Sequence, residues 1–383
     1  MTPLPMLIAV EATRLQREVR GIGRYVRAML PRLVSQRPGL HLVLFAKTRR
    51  GVTALAESVG RDPQLRDSVS VRHVREMART PADLYWYPWN VVSPVPRRGA
   101  TVATIHDIAP LAVPDPRLLA WRKNLRWRLR FRRTARVATL IVADSAFTAA
   151  EIRRVLGVGD DRIRVALLAA DDFAIPSIDR DADALARLGV RAPFVLSVGA
   201  AEKRKNHALL ARAMRSVVET QRGATLVLAG PRRHATAPSP SEAWMQTLGF
   251  VSDADLCALY RNAAALVMPS TYEGFGLPVL EAMRVGTPVI CARSSSLPEV
   301  AGDAALWVKP DDAEALASAI SSVLGDESLR GSLGAGSLRR SVAFSWDETA
   351  RRTLLAFDEA LELHARTRPA PVAAPLETAA APW

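Results

Sequence analysis

The stretch that decides the fold of this chain is Leu266-Val-Met268-Pro-Ser-Thr-Tyr-Glu273-Gly-Phe-Gly-Leu-Pro278-Val-Leu-Glu281. Its first three apolar residues predict the end of a buried strand, a glycine-bearing loop follows directly, and the last residues predict a helix. Gly274 and Gly276 permit positive φ and close approach of a ligand, and Pro278 suits the first helical turn, where its missing N–H has no partner. A strand, a glycine-bearing loop and a helix in this order are typical of a doubly wound α/β domain.

The same stretch predicts a binding site for an anion and a sugar. The free backbone N–H groups after Gly276 lie at the positive end of the predicted helix, where a diphosphate is stabilised. Glu281 ends the first helical turn, so its carboxylate is placed to accept hydrogen bonds from vicinal hydroxyls such as ribose O2 and O3. Glu273 is placed to hold a sugar hydroxyl or to stabilise positive charge at an anomeric carbon. Alternatively, Glu281 complements the helix dipole and Glu273 is a solvated loop acid.

Two series of short apolar runs predict two parallel sheets with helical crossovers. The first series comprises residues 7–10, 41–45, 84–87, 101–105, 139–142 and 163–167. The second series comprises residues 194–198, 224–229, 247–250, 265–268, 288–291 and 305–308. We therefore predict an α/β fold of two Rossmann-like doubly wound domains that face an interdomain cleft, with the chemistry on the strand-to-helix loops.

The length of 383 residues also favours two domains, because one core stops growing at roughly 250 to 300 residues. We expect an N-terminal acceptor domain at 1–175 and a C-terminal donor domain at 176–344. Residues 171–190 contain no predicted strand and are interpreted as the linker with an entry helix. A helical pattern at 345–366 is expected to cross back to the first domain, and the Ala- and Pro-rich residues 367–383 to form a disordered tail.

The composition indicates an anionic partner and a reducing compartment. The net charge of +14 and the isoelectric point near 10.8 fit nucleic acid, a lipid surface or a phosphorylated substrate, or reflect only an Arg-rich composition. Cys257 and Cys291 stand apart without a metal-binding or disulfide pattern. No signal peptide and no run of about 18 to 20 apolar residues is visible in the sequence. We expect a cytoplasmic protein whose contact with a membrane, if any, is peripheral.

Residues 121–136 contain eight basic residues and no acid, interleaved with Trp121, Leu125, Trp127 and further apolar residues. A helix of this composition is suited to lie on anionic lipid, with each cation near the surface contributing about 1 kcal/mol. Alternatively, it is a crossover helix whose apolar residues face the sheet and whose arginines are solvated. The first interpretation would suit a polyprenyl-diphosphate-linked acceptor.

Three further loops carry candidate site residues. Arg204 and Lys205, in a loop after the strand at 194–198, are placed to neutralise charge on a departing diphosphate, or else form a solvated surface cluster. Gly21 and Gly23 open a helix after the first strand, a pattern that an ordinary turn also explains. His106 follows the strand at 101–105 and is expected at the end of the sheet that faces the cleft.

These motifs together resemble a known enzyme family. Glu273-Gly-Phe-Gly-Leu-Pro-Val-Leu-Glu281 is similar to the two-glutamate, seven-spacer signature of glycosyltransferase family 4, retaining enzymes with the GT-B architecture. The resemblance continues through Gly286-Thr-Pro-Val-Ile, Leu297-Pro-Glu-Val-Ala-Gly-Asp-Ala-Ala and Val308-Lys-Pro-Asp-Asp. It is strongest over residues 194–325 and extends over most of the chain.

The resemblance implies roles for single residues. Phe250 and Val251 match the segment whose backbone contacts the nucleotide base, and Lys205 matches the phosphate-binding lysine. Many relatives carry an arginine where this chain has Ala200, so either Arg204 serves instead or a cation is missing. The catalytic residues implied are His106, Arg204, Lys205 and Glu273, with His106 beside the transferred sugar and not a general base. The donor-binding residues implied are Gly21, Gly23, Phe250, Val251, Gly274, Phe275, Gly276, Leu277 and Glu281.

The resemblance further implies transfer with retention by a front-face route, in which a donor phosphate oxygen takes the acceptor proton and no protein nucleophile is needed. No Asp-x-Asp pair sits at a suitable strand end and no His/Asp metal cluster is visible in the sequence, so neither a metal nor another cofactor is expected. The style of the loops resembles mannosyl- and rhamnosyl-transferring members. We therefore expect GDP-mannose as donor and a glycan or a polyprenyl-diphosphate-linked oligosaccharide as acceptor, in surface polysaccharide synthesis.

Two other functions stay open from the residues alone. The net charge and the basic, aromatic-bearing segment also fit a nucleic-acid-binding protein, although the two-glutamate loop does not and no nucleic-acid motif is visible. The same GT-B fold would also serve a sugar-nucleotide epimerase or an inactive scaffold.

Overall fold

The computed structural model of the chain describes residues 6–16, 21–113, 121–173, 177–200, 202–231 and 242–367. These residues form one sheet of seven strands and one of six, and every pair of neighbouring strands is parallel. Helices connect most of the successive strands in both sheets, whereas residues 88–99 join the strands Leu84–Tyr87 and Ala100–Ile105 without a helix. The predicted α/β fold with two doubly wound sheets is confirmed.

The first sheet comes from the N-terminal half of the chain. Its strands are β1 (Met6–Glu11), β2 (Leu40–Ala46), β3 (Val69–His73), β4 (Leu84–Tyr87), β5 (Ala100–Ile105), β6 (Leu140–Ala143) and β7 (Ile163–Val165). Its helices are α1 (Ile22–Gln36), α2 (Arg49–Arg61), α3 (Val74–Met77), α4 (Ala109–Ala112), α5 (Trp121–Val137) and α6 (Ala146–Leu156). The strand order is β3-β2-β1-β4-β5-β6-β7, so the winding direction reverses between β1 and β4.

The second sheet comes from the C-terminal half. Its strands are β8 (Phe194–Val198), β9 (Thr225–Ala229), β10 (Met245–Gly249), β11 (Ala265–Met268), β12 (Val289–Ala292) and β13 (Leu306–Val308). Its helices are α7 (Asp181–Leu188), α8 (His207–Thr220), α9 (Asp253–Asn262), α10 (Leu277–Arg284), α11 (Leu297–Ala301), α12 (Ala313–Gly325) and α13 (Glu327–Ser341). The order β10-β9-β8-β11-β12-β13 places the reversal between β8 and β11.

Alternating side chains of the strands fill the cores on the two faces of each sheet. On β1, Ile8 and Val10 belong to one buried cluster and Ala9 to another, as expected for a strand whose neighbours lie on both faces. The cluster that holds Val10 also contains Leu196 of β8, so apolar packing continues from one half of the chain into the other.

Every strand predicted from an apolar run is present, with boundaries that shift by at most two residues. One strand of the described residues was not predicted. Strand β3 (Val69–His73) lies at the edge of the first sheet and carries partly exposed residues between its valines, so it lacks a continuous apolar run.

The last described element is helix α14 (Trp346–Thr367), which begins one residue later than predicted and packs on helix α1 and on strands β5 and β6. Its buried Trp346 lies 6.0 Å from the ring of Tyr25, and its buried Phe357 lies 5.7 Å from the ring of Trp86. This helix therefore returns the end of the described chain to the N-terminal half. The predicted tail, apart from Thr367, lies outside the described residues.

The packing of α14 is testable by large-to-small substitution. Phe357→Ala is expected to cost about 3–5 kcal/mol, because the phenyl ring is fully buried and its removal leaves a cavity. The midpoint of urea denaturation should fall markedly. Leu355→Ala, in the same helix but 49% exposed, is the control and should change the free energy of unfolding by no more than about 0.5 kcal/mol. Equal midpoints for the two variants would contradict this packing.

Candidate active site

The sequence-predicted site residues lie on loops at the carboxyl ends of strands in both sheets. Lys205 and Glu273 follow β8 and β11, the two neighbouring strands between which the second sheet reverses its winding. Loops at such a reversal diverge to opposite faces and leave a crevice, the usual place for a ligand in a doubly wound sheet. In the first sheet, His106 directly follows β5 and Gly21 directly precedes α1.

The structure brings Glu273, Lys205 and Arg204 together in one ionic cluster. One carboxylate oxygen of Glu273 lies 2.7 Å from Nζ of Lys205, and the other accepts a hydrogen bond of 2.9 Å from Nη1 of Arg204. Glu202 accepts a further hydrogen bond of 2.8 Å from Nε of Arg204. Burial alone would raise the pKa of Glu273, but the two cations outweigh it, so this pKa is lowered and the carboxylate stays charged.

This cluster answers one question that the sequence left open. Glu273 and Lys205 are both buried, so neither is a solvated surface residue. Their charges are desolvated and remain tolerable only because each has a partner at hydrogen-bond distance. Arg204 is held by Glu273, Glu202 and the carbonyl oxygen of Tyr272, so it belongs to the same cluster as Lys205.

Glu281 is the second acid of the loop and joins the two halves of the chain. Its Oε1 accepts a hydrogen bond of 2.8 Å from Arg24 of α1, and its Oε2 accepts one of 3.0 Å from the hydroxyl of Tyr260. Arg24 is held further by Asp172, at 2.9 Å, and lies over the ring of Phe173. The carboxylate that is predicted from its place in the helix to bind a ribose is therefore engaged by a cation from the opposite half.

The glycine-bearing loop between the two acids makes the closest approach between the halves. Gly276 has φ of 113°, a conformation that favours glycine, and is the N-cap of α10. Gly274 has an ordinary φ, and the reason for glycine there is space: a Cβ would lie 1.9 Å from the carbonyl oxygen of His106. The carbonyl oxygen of Gly274 accepts hydrogen bonds from the hydroxyls of Ser145, at 2.6 Å, and Thr148, at 3.0 Å.

His106 lines the cleft, but protein acceptors engage both of its ring nitrogens. Nδ1 lies 2.6 Å from Oδ2 of Asp144, and Nε2 lies 2.8 Å from the carbonyl oxygen of Pro88. Burial raises the pKa of Asp144, and the charge of His106 opposes that rise. With Asp144 ionised, both partners are acceptors, so the imidazole donates from both nitrogens, which only the protonated form does. Burial would lower the pKa of His106, but the charge of Asp144 outweighs it and the pKa is raised. A doubly donating imidazolium has no lone pair for general-base work.

A cavity of about 180 Å³ lies between these loops. Its lining residues include Gly21, His106, Asp144, Glu273, Gly274, Phe275, Gly276 and Leu277. This volume is below the roughly 300 Å³ at which pockets for small molecules begin, so admission of a nucleotide sugar requires the two halves to separate.

Gly23 lies buried in the first turn of α1, and Val251 lies buried after β10 beside the 63% exposed Phe250. None of these three residues lines this cavity.

Sequence reasoning missed several residues that contact the predicted ones, among them Tyr260 and Asp144. Tyr260 holds Glu281, and Asp172 holds Arg24, the partner of Glu281; no local pattern marks these contacts, because they form only when distant segments pack. The position of Asp144 in the sequence could have predicted its place in the site. It directly follows the apolar strand β6, so it falls on the same edge of the sheet as His106.

Within the described ranges, no group of three or more His, Cys, Asp or Glu side chains has the arrangement needed to hold a metal ion. None of the helices in those ranges combines the length and the apolar character that crossing a lipid bilayer requires.

Comparison with known proteins assigns the family. The family described as "Glycosyl transferases group 1" matches residues 186–339. The chain is 32% identical over 370 residues to O-antigen chain mannosyltransferase B of Escherichia coli, covering 88% of this chain and 95% of that protein. It is 31% identical over 282 residues to serotype-specific mannosyltransferase WbdA of Escherichia coli, covering 68% of this chain. The match covers only 34% of that second relative, about a third of its length.

A solved structure supports the same fold. Anabaena Alr3699/HepE, in complex with UDP-glucose, matches 92% of this chain and 99% of its own with a TM-score of 0.69 and 17% sequence identity. The chain therefore belongs to the group 1 glycosyltransferases, glycosyltransferase family 4, and has their GT-B fold. It is an enzyme of the hexosyltransferase class, as predicted, and nothing in these comparisons supports the nucleic-acid-binding alternative.

The contact of Gly274 with His106 gives a test of cleft closure. Gly274→Ala places a Cβ against a backbone oxygen, which cannot move aside as a flexible side chain would, so the two halves must separate. We expect a larger radius of gyration in small-angle X-ray scattering and a turnover lowered about 10²-fold, because the reacting groups are misplaced. Gly331→Ala, whose Cβ would meet no atom within 4 Å, should change neither quantity. An unchanged radius and turnover in Gly274→Ala would refute the close contact.

Proposed function

We propose that this chain is a retaining mannosyltransferase that moves mannose from GDP-mannose to a glycan or polyprenyl-diphosphate-linked oligosaccharide in surface polysaccharide synthesis. The observation that supports glycosyl transfer most directly is the buried Glu273 between Lys205 and Arg204, at the reversal point of the second sheet. Mannose is supported by the two relatives described above, both of which are named mannosyltransferases.

The chemistry proposed for this site needs no protein nucleophile. The bond between the anomeric carbon and the donor phosphate oxygen breaks, and its electron pair stays with the departing GDP. The acceptor hydroxyl bonds to the same face of that carbon, and its proton passes to a phosphate oxygen of the leaving group. Lys205 and Arg204 stabilise the negative charge that grows on the diphosphate, and the N–H groups at the start of α10 add to this.

The remaining site residues position the substrates. Glu281 binds the ribose hydroxyls once the donor takes the place of Arg24, and the backbone at Phe250 and Val251 contacts the base. Glu273 keeps the two cations in place and faces the hexose, where its negative charge favours positive charge at the anomeric carbon. Gly21 and Gly23 leave room for the donor phosphates and the acceptor. No metal ion takes part in this proposal, because the two cations supply the charge that a metal would.

Substitution of the buried lysine tests this assignment. Lys205→Met removes one charge but leaves Glu273 paired with Arg204, so the chain is expected to fold. Turnover of GDP-mannose should fall about 10²–10³-fold, the usual cost of losing one preorganised group that stabilises developing charge. Lys203→Met, an exposed cation in the same turn, is the matched control and should keep wild-type turnover. If Lys205→Met also keeps it, the proposed role of the cluster is wrong.

The acceptor proposal places the enzyme at the cytoplasmic face of a membrane, and helix α5 supports this. The helix uses Phe131, Thr134 and Ala135 to pack on the protein. Trp121, Leu125 and Leu129, spaced four residues apart along one stripe, are 58%, 47% and 59% exposed. The apolar residues of this stripe thus do not face the sheet, and the eight cations around them suit anionic lipid headgroups.

Vesicle binding tests this surface. Wild-type protein is expected to sediment with vesicles that contain phosphatidylglycerol and to stay in solution with pure phosphatidylcholine, because both cations and apolar side chains contribute. Leu129→Asp should abolish sedimentation. The control is Leu355→Asp on α14, which changes a leucine of similar exposure and should sediment like the wild type. Equal sedimentation of the two variants, or binding to RNA in place of the vesicles, would contradict a lipid-binding surface at α5.

A further inference from the structure

Asp144 is a buried acid in the cleft to which the proposed reaction assigns no role. It follows strand β6 directly, only 1% of it is exposed, and it lines the same cavity as Glu273 and Gly274. An acid at this depth requires partners for both carboxylate oxygens, because burying an unpaired charge is costly.

Only one of the two oxygens is accounted for. Oδ2 lies 2.6 Å from Nδ1 of His106, whose other nitrogen lies 2.8 Å from the carbonyl oxygen of Pro88. Asp144 therefore supplies the acceptor that keeps the His106 ring oriented and protonated. Within the described part of the chain, Oδ1 of Asp144 is buried and has no hydrogen-bond partner.

The position of this unsatisfied oxygen indicates what binds it. The cavity that Asp144 lines is also lined by Glu273 and Gly274, whose loop the proposed function assigns to the sugar donor. The His106 nitrogens are both occupied, so in this part of the cavity Asp144 offers the acceptor that His106 does not. A sugar hydroxyl is a donor of the right size and chemistry, whereas a phosphate would be repelled by the carboxylate.

We propose that Asp144 is a specificity-determining residue of the reaction: its Oδ2 holds His106 in the doubly donating form, and its Oδ1 accepts a hydrogen bond from a hydroxyl of the transferred hexose. This inference rests on the proposed function, because it takes the ligand of the cavity to be a nucleotide sugar. It adds a contact to the hexose itself, on the side of the cleft built by the N-terminal half.

The experiment compares the binding of a nucleotide sugar with that of its nucleoside diphosphate. In titration calorimetry, Asp144→Asn should weaken the binding of GDP-mannose about tenfold, because a charged acceptor is lost. The affinity for GDP should stay within about twofold of the wild-type value. Asp181→Asn is the control, because Asp181 is also a buried, ion-paired acid but pairs with Arg261 away from the cavity. It should weaken neither ligand. Equal weakening of GDP and GDP-mannose by Asp144→Asn would mean that Asp144 is only structural, and would overturn the inference.

A second arm begins with the unaltered protein, so its first result does not depend on how the variant folds. Among the GDP-deoxymannoses, the one that lacks the hydroxyl bonded to Asp144 should bind the wild type about tenfold more weakly than GDP-mannose does. The difference in affinity between these two donors should shrink in Asp144→Asn. Equal binding of all deoxy donors to the wild type would overturn the inference, and so would a loss confined to the KM of the acceptor. If GDP-mannose and GDP fail to bind the wild type, the donor proposal fails instead. The same comparison is then made with the nucleotide sugar that the enzyme turns over and its own diphosphate.

Discussion

The buried carboxylate of Glu273 between Lys205 and Arg204 is the interaction on which the rest of the site depends. Each of these charges would be several kcal/mol too costly to bury alone, and together they satisfy one another at 2.7 and 2.9 Å. The result is a pair of cations that are already desolvated and fixed before any substrate arrives. Such preorganised charge stabilises a leaving diphosphate more strongly than mobile surface lysines, because no water has to be removed and no side chain reoriented during the reaction.

In the proposed function, this cluster becomes an active site only when the two halves of the chain meet. Arg24 reaches across to Glu281, Ser145 and Thr148 donate to the carbonyl oxygen of Gly274, and Glu299 accepts from the backbone N–H of Ala146 at the start of α6. These contacts close the cleft around a cavity too small for a nucleotide sugar. Entry of the donor must therefore break some of them, and the contact of Arg24 with Glu281 is the one that a ribose would replace. The proposed function therefore couples closure and donor binding through the same carboxylate.

The sequence predicted the parts of this arrangement that local patterns encode. Continuous apolar runs mark the buried strands, and the loop from Glu273 to Glu281 carries its glycines and acids within a few residues. Strand β3 was missed because an edge strand needs no continuous apolar run. The pairing of Arg24 with Glu281, which are 257 positions apart, depends on how the two halves pack and leaves no local pattern. The sequence also did not show which side of α5 faces outward. The spacing of its apolar residues fits a buried stripe and an exposed stripe equally well.

The central claim, that the Glu273 cluster is a diphosphate site, is tested most directly by calorimetric titration of the unaltered chain with GDP and GMP, and with UDP and UMP alongside. The nucleotide base and ribose are the same within each pair, so any difference comes from the second phosphate. The account predicts that the diphosphate of the correct base binds at least about tenfold more tightly than its monophosphate, because that phosphate reaches the buried cations. Equal affinities within both pairs would contradict it.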